Sequence, residues 1–95
     1  MIPIENVYGQ ICELAAKHEL ERVVLFGSRA RGTALPKSDI DLAVSGGDIT
    51  GFADDVDENL WSLLMVDVVD LDRASSPDLL HEIARDGKVL YEKGR

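Results

Sequence analysis

Two aspartates separated by one residue, Asp39 and Asp41, follow a Gly-Ser pair, Gly27 and Ser28, and ten residues lie between Ser28 and Asp39. Residues 38–45 alternate polar with apolar side chains, as a strand with one buried face does, so we expect both carboxylates on the same face. Carboxylates held side by side repel each other unless a cation offsets their charge. The pair therefore predicts a site for a divalent cation.

The Gly-Ser pair directly follows an apolar run, 22–26, that is typical of a buried strand. Gly27 and Ser28 then open a short helical turn, and the free N–H groups at the beginning of a helix attract phosphate. One short loop thus joins a predicted anion site to a predicted cation site. Carboxylates that hold two Mg²⁺ ions, which in turn bind a nucleoside triphosphate, form the two-metal arrangement for in-line displacement at phosphorus.

A third carboxylate can come from a later strand, predicted over 65–71. Alternation places Asp67 on one face of this strand and Asp70 on the other. If this strand pairs with that of Asp39 and Asp41, then Asp67 projects beside them and completes a ring of three carboxylates. Asp70 is the alternative third ligand.

Eleven aspartates produce the Asp-x-Asp pattern three times, so the context of each pair decides its interpretation. Asp55 and Asp57 fall in a helical pattern, where residues two apart point in nearly opposite directions, and we expect them on a solvated helix face. Asp70 and Asp72 end a strand beside Arg73, and a turn accounts for them. Only the first pair is therefore expected to hold a metal.

The elements around these residues alternate between helices and strands. Periodicity predicts helices over 4–18, over 52–64 and from Ser75 or Ser76 to Asp86, a short helical turn that Gly32 ends, and strands over 22–26, 38–45, 65–71 and 88–91. This order predicts one domain over 1–95 of the α/β (α+β) class, a small mixed sheet with helices packed on it and the last strand at an edge. We expect the two histidines, His18 and His81, at the surface.

The chain of 95 residues carries 10 Lys and Arg against 18 Asp and Glu, which gives a net charge of −8. An acidic surface repels phosphates, so direct binding of nucleic acid is disfavoured. The longest apolar runs span about four residues, far short of the roughly 20 of a membrane-spanning helix, and no secretory leader is recognisable. We therefore expect a cytoplasmic protein without a membrane partner. The single cysteine, Cys12, excludes an internal disulfide.

Together these residues resemble the minimal nucleotidyltransferases of the DNA polymerase β superfamily. Members of this family have a hydrophobic strand, Gly-Ser, ten residues, Asp-x-Asp, and a later strand with a third Asp between apolar neighbours. This sequence supplies Val23-Val-Leu-Phe-Gly-Ser28, then Asp39-Ile-Asp41, and later Val66-Asp67-Val68, within a resemblance that spans 20–91. The resemblance implies a polymerase β-like nucleotidyltransferase core, two Mg²⁺ ions as cofactors and ATP as substrate, and it favours Asp67 over Asp70.

The resemblance also implies a role for each matching residue. Gly27 would permit close approach of the phosphates, and Ser28 would bind the β- and γ-phosphates. Asp39 and Asp41 would hold both Mg²⁺ ions. Asp67 would ligate the second metal and orient or deprotonate the attacking hydroxyl.

Three residues of the connecting loop are further nucleotide-binding candidates. Arg29 and Arg31 match the Gly-Ser-Arg-Ala-Arg-Gly form of the family's loop, and one of the two would contact the triphosphate. Ser38 is the third candidate, and bracing of the loop before the strand is the alternative interpretation of its hydroxyl.

Small stand-alone members of this family are similar to antitoxins encoded beside a HEPN-domain ribonuclease toxin, and several transfer AMP from ATP to a tyrosine of that toxin. The resemblance thus implies a protein adenylyltransferase whose partner is a HEPN-domain protein encoded nearby, with which it would form an oligomer. The second domain by which larger relatives bind antibiotics, tRNA or a primer is missing from this chain, and an acidic surface suits a protein partner.

Two other functions compete with this one. The first is an antitoxin of weak or no catalytic activity, which neutralises its partner by complex formation alone. The second is a haloacid-dehalogenase-like phosphatase that uses Asp-x-Asp. It is disfavoured, because Leu42 and Ala43 follow the pair where such enzymes usually have Thr or Val.

Overall fold

The computed structural model describes residues 3–60, 64–73 and 76–94, and these form a four-stranded mixed sheet with helices on both faces. In chain order the elements are α1 (Ile4–Lys17), β1 (Arg22–Phe26), α2 (Ser28–Arg31), β2 (Ile40–Ser45), α3 (Ile49–Asn59), β3 (Val66–Asp70), α4 (Pro77–Asp86) and β4 (Lys88–Glu92). The predicted order of elements is confirmed. Within the described ranges, no helix is long and apolar enough to cross a membrane.

The strands lie in the order β3-β2-β1-β4, with β4 at an edge as predicted. β1 is antiparallel to both of its neighbours, β2 and β4, whereas β2 and β3 are parallel. A parallel pair needs a crossover, and α3 supplies it between β2 and β3. The sheet therefore places the beginnings of β2 and β3 next to the end of β1.

Each face of the sheet carries its own apolar core. The larger core packs α1 and α3 against the sheet and takes Ile40, Leu42 and Val44 from β2, all fully buried. The smaller core lies under α4 and contains Val24, Phe26, Ala43 and Ile83. Because side chains alternate along a strand, Asp41 projects from the face of Ala43, which is the α4 face.

One helix boundary differs from the predictions, and another is narrowed to one of its two predicted residues. The helix expected over 52–64 ends at Asn59, since Leu60 has an extended backbone with φ −72° and ψ 125°. Leu60 and Leu64 still pack against the larger core, but from a loop, and this is why their spacing imitates a longer helix. The predicted helical positions Trp61 and Leu63 lie outside the described residues. At the other helix, Ser76 is the N-cap of α4, and its Oγ accepts a hydrogen bond from Leu79 N.

The prediction of a solvated Asp55 is wrong. Its side chain on α3 is only 8% exposed, and the end of α1 packs against it. Lys17 Nζ donates to Asp55 Oδ2 at 2.9 Å, His18 Nε2 lies 2.8 Å from the same oxygen, and Asn59 Nδ2 donates to Oδ1. His18, expected at the surface, is half-buried by the same contact. Helical periodicity places polar residues on a common face but cannot show which neighbouring helix covers that face.

This cluster sets the charge of Asp55. Hydrogen bonds from His18, then from Lys17 and Asn59, hold the pKa of the Asp55 carboxyl well below its usual range, and they outweigh the opposing effect of burial. A carboxyl with a lowered folded-state pKa stabilises the fold above its unfolded-state pKa of about 3.9, and that contribution is lost as the pH falls through the folded-state value.

We expect Asp55→Ala to lower the urea midpoint of unfolding clearly at pH 7, because the variant leaves the partners of the carboxylate unpaired. The difference from wild type should shrink as the pH falls below about 4, because the carboxyl then binds a proton in the unfolded state while it stays ionised in the folded state. Asp57→Ala, an exposed position of the same helix, is the control and should stay near wild type at both pH values. Equal midpoints for the two variants at pH 7 would show that the cluster adds no stability.

Candidate active site

Asp41 and Asp67 are direct neighbours across two strands. β2 and β3 are parallel, and their register pairs these two residues. Paired positions on adjacent strands lie about 4.8 Å apart and project from the same face, here the α4 face. The two carboxyl groups are close enough to share a hydrogen bond. The register therefore forms a carboxylate pair at the beginning of both strands.

Asp39 stands beside this pair at the entrance to β2. The next residue fixes the beginning of β2, since Ile40 N donates a hydrogen bond to Met65 O, 2.9 Å away and just before β3. Asp39 itself is exposed, and its charge reaches Asp41. Across residues 3–60, 64–73 and 76–94, no three His, Cys, Asp or Glu side chains converge closely enough to hold a metal ion. The predicted ring of three carboxylates is thus formed only in part, as a pair with Asp39 at its rim.

The pair carries an electrostatic cost. Burial raises the pKa of the Asp41 carboxyl, and the negative charges of Asp67, Asp39 and Glu82 raise this pKa further. Each of these effects disfavours the ionised form of Asp41, and a bound cation would offset all of them. Carboxylate oxygens are also the ligands that Mg²⁺ prefers. The chemistry of these residues therefore fits a magnesium ion.

Asp70, the alternative third ligand, lies on the opposite face. It pairs with Val44, which belongs to the larger core. Its Oδ1 accepts a hydrogen bond from Asp72 N at 2.9 Å, and Asp72 Oδ2 accepts one from Gly46 N at 3.0 Å. These contacts build the turn after β3, so the structure uses Asp70 and Asp72 as turn residues and keeps Asp70 away from Asp41.

Gly27 brings the Gly-Ser step against the carboxylate pair. Its backbone, with φ 74° and ψ −156°, has a conformation that is essentially restricted to glycine. A Cβ built at this position would overlap Asp41 Oδ2. Ser28 follows as the first residue of α2 and is half-buried. The predicted phosphate-binding step and the predicted metal ligand are therefore in van der Waals contact.

The two loop arginines have different surroundings. Arg29 donates from Nε and Nη2 to Ser38 O, at 3.1 and 2.8 Å, and from Nη2 to Pro36 O at 3.1 Å. Ser38 Oγ in turn accepts a hydrogen bond from Leu35 N at 2.8 Å. Arg29 and Ser38 thus brace the loop between α2 and β2. Arg31 Nη1 instead reaches α4, where it lies 3.0 Å from Glu82 Oε1.

Glu82 is a site residue that the sequence analysis missed. Its charge reaches Asp41, and its carboxylate pairs with Arg31. No local motif marks it, because it is one of several acidic residues on an amphipathic helix. The only signal in the sequence is its spacing of four from Asp86, which puts both carboxylates on the same face of α4.

Comparisons with known proteins agree with this fold. The family model described as "Polymerase beta, Nucleotidyltransferase" matches residues 9–95. A chain in the solved structure of a toxin-antitoxin with AMP-PNP is 30% identical with a TM-score of 0.73, over 92% of this chain and 74% of that chain.

Two mutants of the toxin-antitoxin MntA-HpeT are also similar in structure. One is 28% identical with a TM-score of 0.71, over 92% of this chain and 74% of that chain. The other is 31% identical with a TM-score of 0.69, over 90% and 72%. No curated protein sequence matches the chain.

The contact between Gly27 and Asp41 can be tested by Gly27→Ala, with Gly32→Ala as the matched control. Both positions have positive φ, but a Cβ at Gly32 would meet no atom within 4 Å. We expect Gly32→Ala to cost about 1–2 kcal/mol of unfolding free energy for its left-handed backbone, and Gly27→Ala to cost more, because its Cβ also displaces the Asp41 carboxylate.

The excess cost of Gly27→Ala should fall when Asp41→Ala is added, since the displaced atoms are then absent. Urea unfolding of Gly27→Ala, Gly32→Ala, Asp41→Ala and the combined Gly27→Ala, Asp41→Ala variant measures both effects. Equal losses at the two glycines, with no relief from Asp41→Ala, would contradict the contact.

Proposed function

Because the chain belongs to the polymerase β nucleotidyltransferase family, we propose that it is a Mg²⁺-dependent protein adenylyltransferase that acts as an antitoxin. In this proposal it transfers AMP from ATP to a tyrosine hydroxyl of a HEPN-domain toxin in the cytoplasm. The observation that carries the proposal is the contact of Asp41, the register partner of Asp67, with Gly27 of the Gly-Ser step. It joins groups suited to divalent cations to a backbone turn suited to phosphates.

The three carboxylates and Ser28 each have a part in this reaction. Asp41 and Asp67, with Asp39 at the rim, would hold the metal ions, and Ser28 would bind the phosphates through its hydroxyl and N–H. Bound Mg²⁺ would neutralise the phosphate charge and favour in-line displacement at phosphorus. The exposure of Asp67 allows an acceptor hydroxyl to approach it. Its carboxylate is therefore suited to orient that hydroxyl and to take its proton.

The proposed transfer is a single displacement at the α-phosphorus of ATP. The acceptor oxygen forms a bond to this phosphorus while the bond from the α-phosphorus to the oxygen that bridges it to the β-phosphate breaks. Pyrophosphate leaves, and the acceptor proton passes to Asp67. Arg29 or Arg31 would offset charge on the triphosphate as the bond breaks.

A protein acceptor is supported by the neighbours and by charge. Three of the similar solved structures are of toxin-antitoxins, and one of these is a structure with AMP-PNP. The net charge of −8 opposes the approach of a polynucleotide, whereas a protein acceptor can present a complementary surface.

The incomplete carboxylate ring favours one alternative, an antitoxin that neutralises its partner by binding alone. With Asp39 at the rim and only two carboxylates paired, the described residues do not form a finished metal site. In this alternative, loss of the carboxylates leaves protection intact.

A labelling assay separates the two functions. The protein is incubated with α-labelled ATP, Mg²⁺ and the HEPN-domain protein that its neighbouring gene encodes. We expect label on that partner, and we expect Asp39→Asn combined with Asp41→Asn, or removal of Mg²⁺ with EDTA, to abolish it. Asp67→Asn should lower the rate at least about 100-fold. Loss of a residue that only supports a metal ligand costs about 10- to 100-fold, and Asp67 is proposed as a ligand itself.

Asp70→Asn is the matched control, because Asp70 lies on the same strand but on the other face. It should keep most of the transfer rate. Persistent labelling by the Asp39→Asn, Asp41→Asn variant would refute the catalytic assignment. Growth protection by that variant, without labelling, would favour the binding-only antitoxin.

A further inference from the structure

α4 closes the carboxylate face of the sheet from one side. Ile83 of α4 packs on Val24, Phe26 and Ala43 in the smaller core, and Phe26 is the register partner of Asp41. Glu82 precedes Ile83 on the helix, and its charge acts on Asp41. A carboxylate thus stands beside the proposed triphosphate site, where a negative charge by itself opposes the binding of a polyanion.

An ion pair with α2 offsets this charge. Arg31 Nη1 lies 3.0 Å from Glu82 Oε1 and 3.9 Å from Asp86 Oδ2. Asp86 is bound more closely by Arg85, whose Nη2 donates to it at 2.8 Å. Glu82 is therefore the nearer of the two acidic residues that contact Arg31. Their ion pair links α2, which begins at Ser28, to α4.

The pair is too exposed to be a strong stabiliser of the fold. The side chains of Arg31 and Glu82 are 38% and 35% exposed, and pairs in contact with water contribute little to stability. A guanidinium carries five donors in a rigid fork, so one contact at Nη1 leaves the group able to bind a phosphate as well. The Arg31–Glu82 contact is therefore better suited to orienting the Arg31 guanidinium than to stabilising the fold.

Arg29 differs in this respect. It donates from both Nε and Nη2 to the carbonyls of Ser38 and Pro36. Release of Arg29 would leave the loop before β2 without these bonds. Arg31 instead contacts the side chains of Glu82 and Asp86, so a phosphate bound by Arg31 would not cost the loop these bonds.

We infer that Glu82 is a positioning residue for nucleotide binding, which holds the Arg31 guanidinium against α4, on the carboxylate face of the sheet, so that it meets the triphosphate of ATP. This inference rests on the proposed function and deepens it. It makes Arg31 the arginine that contacts the triphosphate, and it gives α4 a part in binding the substrate.

The test is a double-mutant cycle in the Mg²⁺-dependent binding of AMP-PNP and in the KM for ATP. Glu82→Ala should weaken AMP-PNP binding and raise KM about tenfold, the worth of one charge-assisted hydrogen bond, with kcat little changed. Glu82→Gln, which keeps an acceptor for Arg31, should lose less. The effect should disappear in an Arg31→Ala background, because Glu82 acts through Arg31. Glu58→Ala, an exposed glutamate on α3, is the control and should bind as wild type does.

The direction in which Glu82→Ala changes the affinity for AMP-PNP decides whether the inference stands. Removal of a negative charge alone tightens the binding of a polyanion, so unchanged or tighter binding by Glu82→Ala would overturn the inference. An equal loss in the Arg31→Ala background would do the same, and in both cases the labelling of the partner by wild type would stand. A wild-type chain that bound no AMP-PNP with Mg²⁺ would instead overturn the proposed function together with this inference.

Discussion

The register of β2 against β3 is the constraint on which the site depends. It places Asp41 beside Asp67 on the α4 face because Ile40, Leu42 and Val44 are locked into the larger core. A slip by one residue would move every β2 side chain to the other face and would bury Asp41 among apolar groups. The apolar residues of β2 thus fix the position of its carboxylate, although none of them contributes a polar atom to the site.

This arrangement has a cost that the rest of the fold must offset. Burial, followed by the negative charges of Asp67, Asp39 and Glu82, raises the pKa of Asp41 and disfavours its ionised form. Gly27 adds a backbone conformation that other residues rarely adopt, and it places that strained step against the same carboxylate. Local conflicts of this kind, inside an otherwise consistent sequence, are expected at functional sites. The cost here is concentrated at one end of one face of the sheet.

The parts of the structure that follow from local pattern were predictable. The alternation of residues 38–45 predicted that Asp41 projects from the face opposite the apolar residues of β2, and the order of strand, Gly-Ser and loop predicted Gly27 at the end of β1. The partners of Asp55 and Glu82 were not predictable, because His18 and Arg31 meet them only when separate elements pack. Helical periodicity predicts which face of a helix is polar, but not which charged residues of other elements pack against that face. The end of α3 was missed for a related reason, since Leu60 and Leu64 pack on the core without being helical.

The two faces of the sheet divide stability and chemistry between them. The larger core, with the buried Asp55 cluster behind it, holds α1 and α3 on the face opposite Asp41. The α4 face has only the smaller core, formed around Ile83. A chain of 95 residues can build one substantial core and little besides, so the face with fewer apolar contacts is the one that can leave room for a nucleotide. α4 covers that face through few buried residues, and the Arg31–Glu82 pair is its polar contact with α2, the short helix that begins at Ser28.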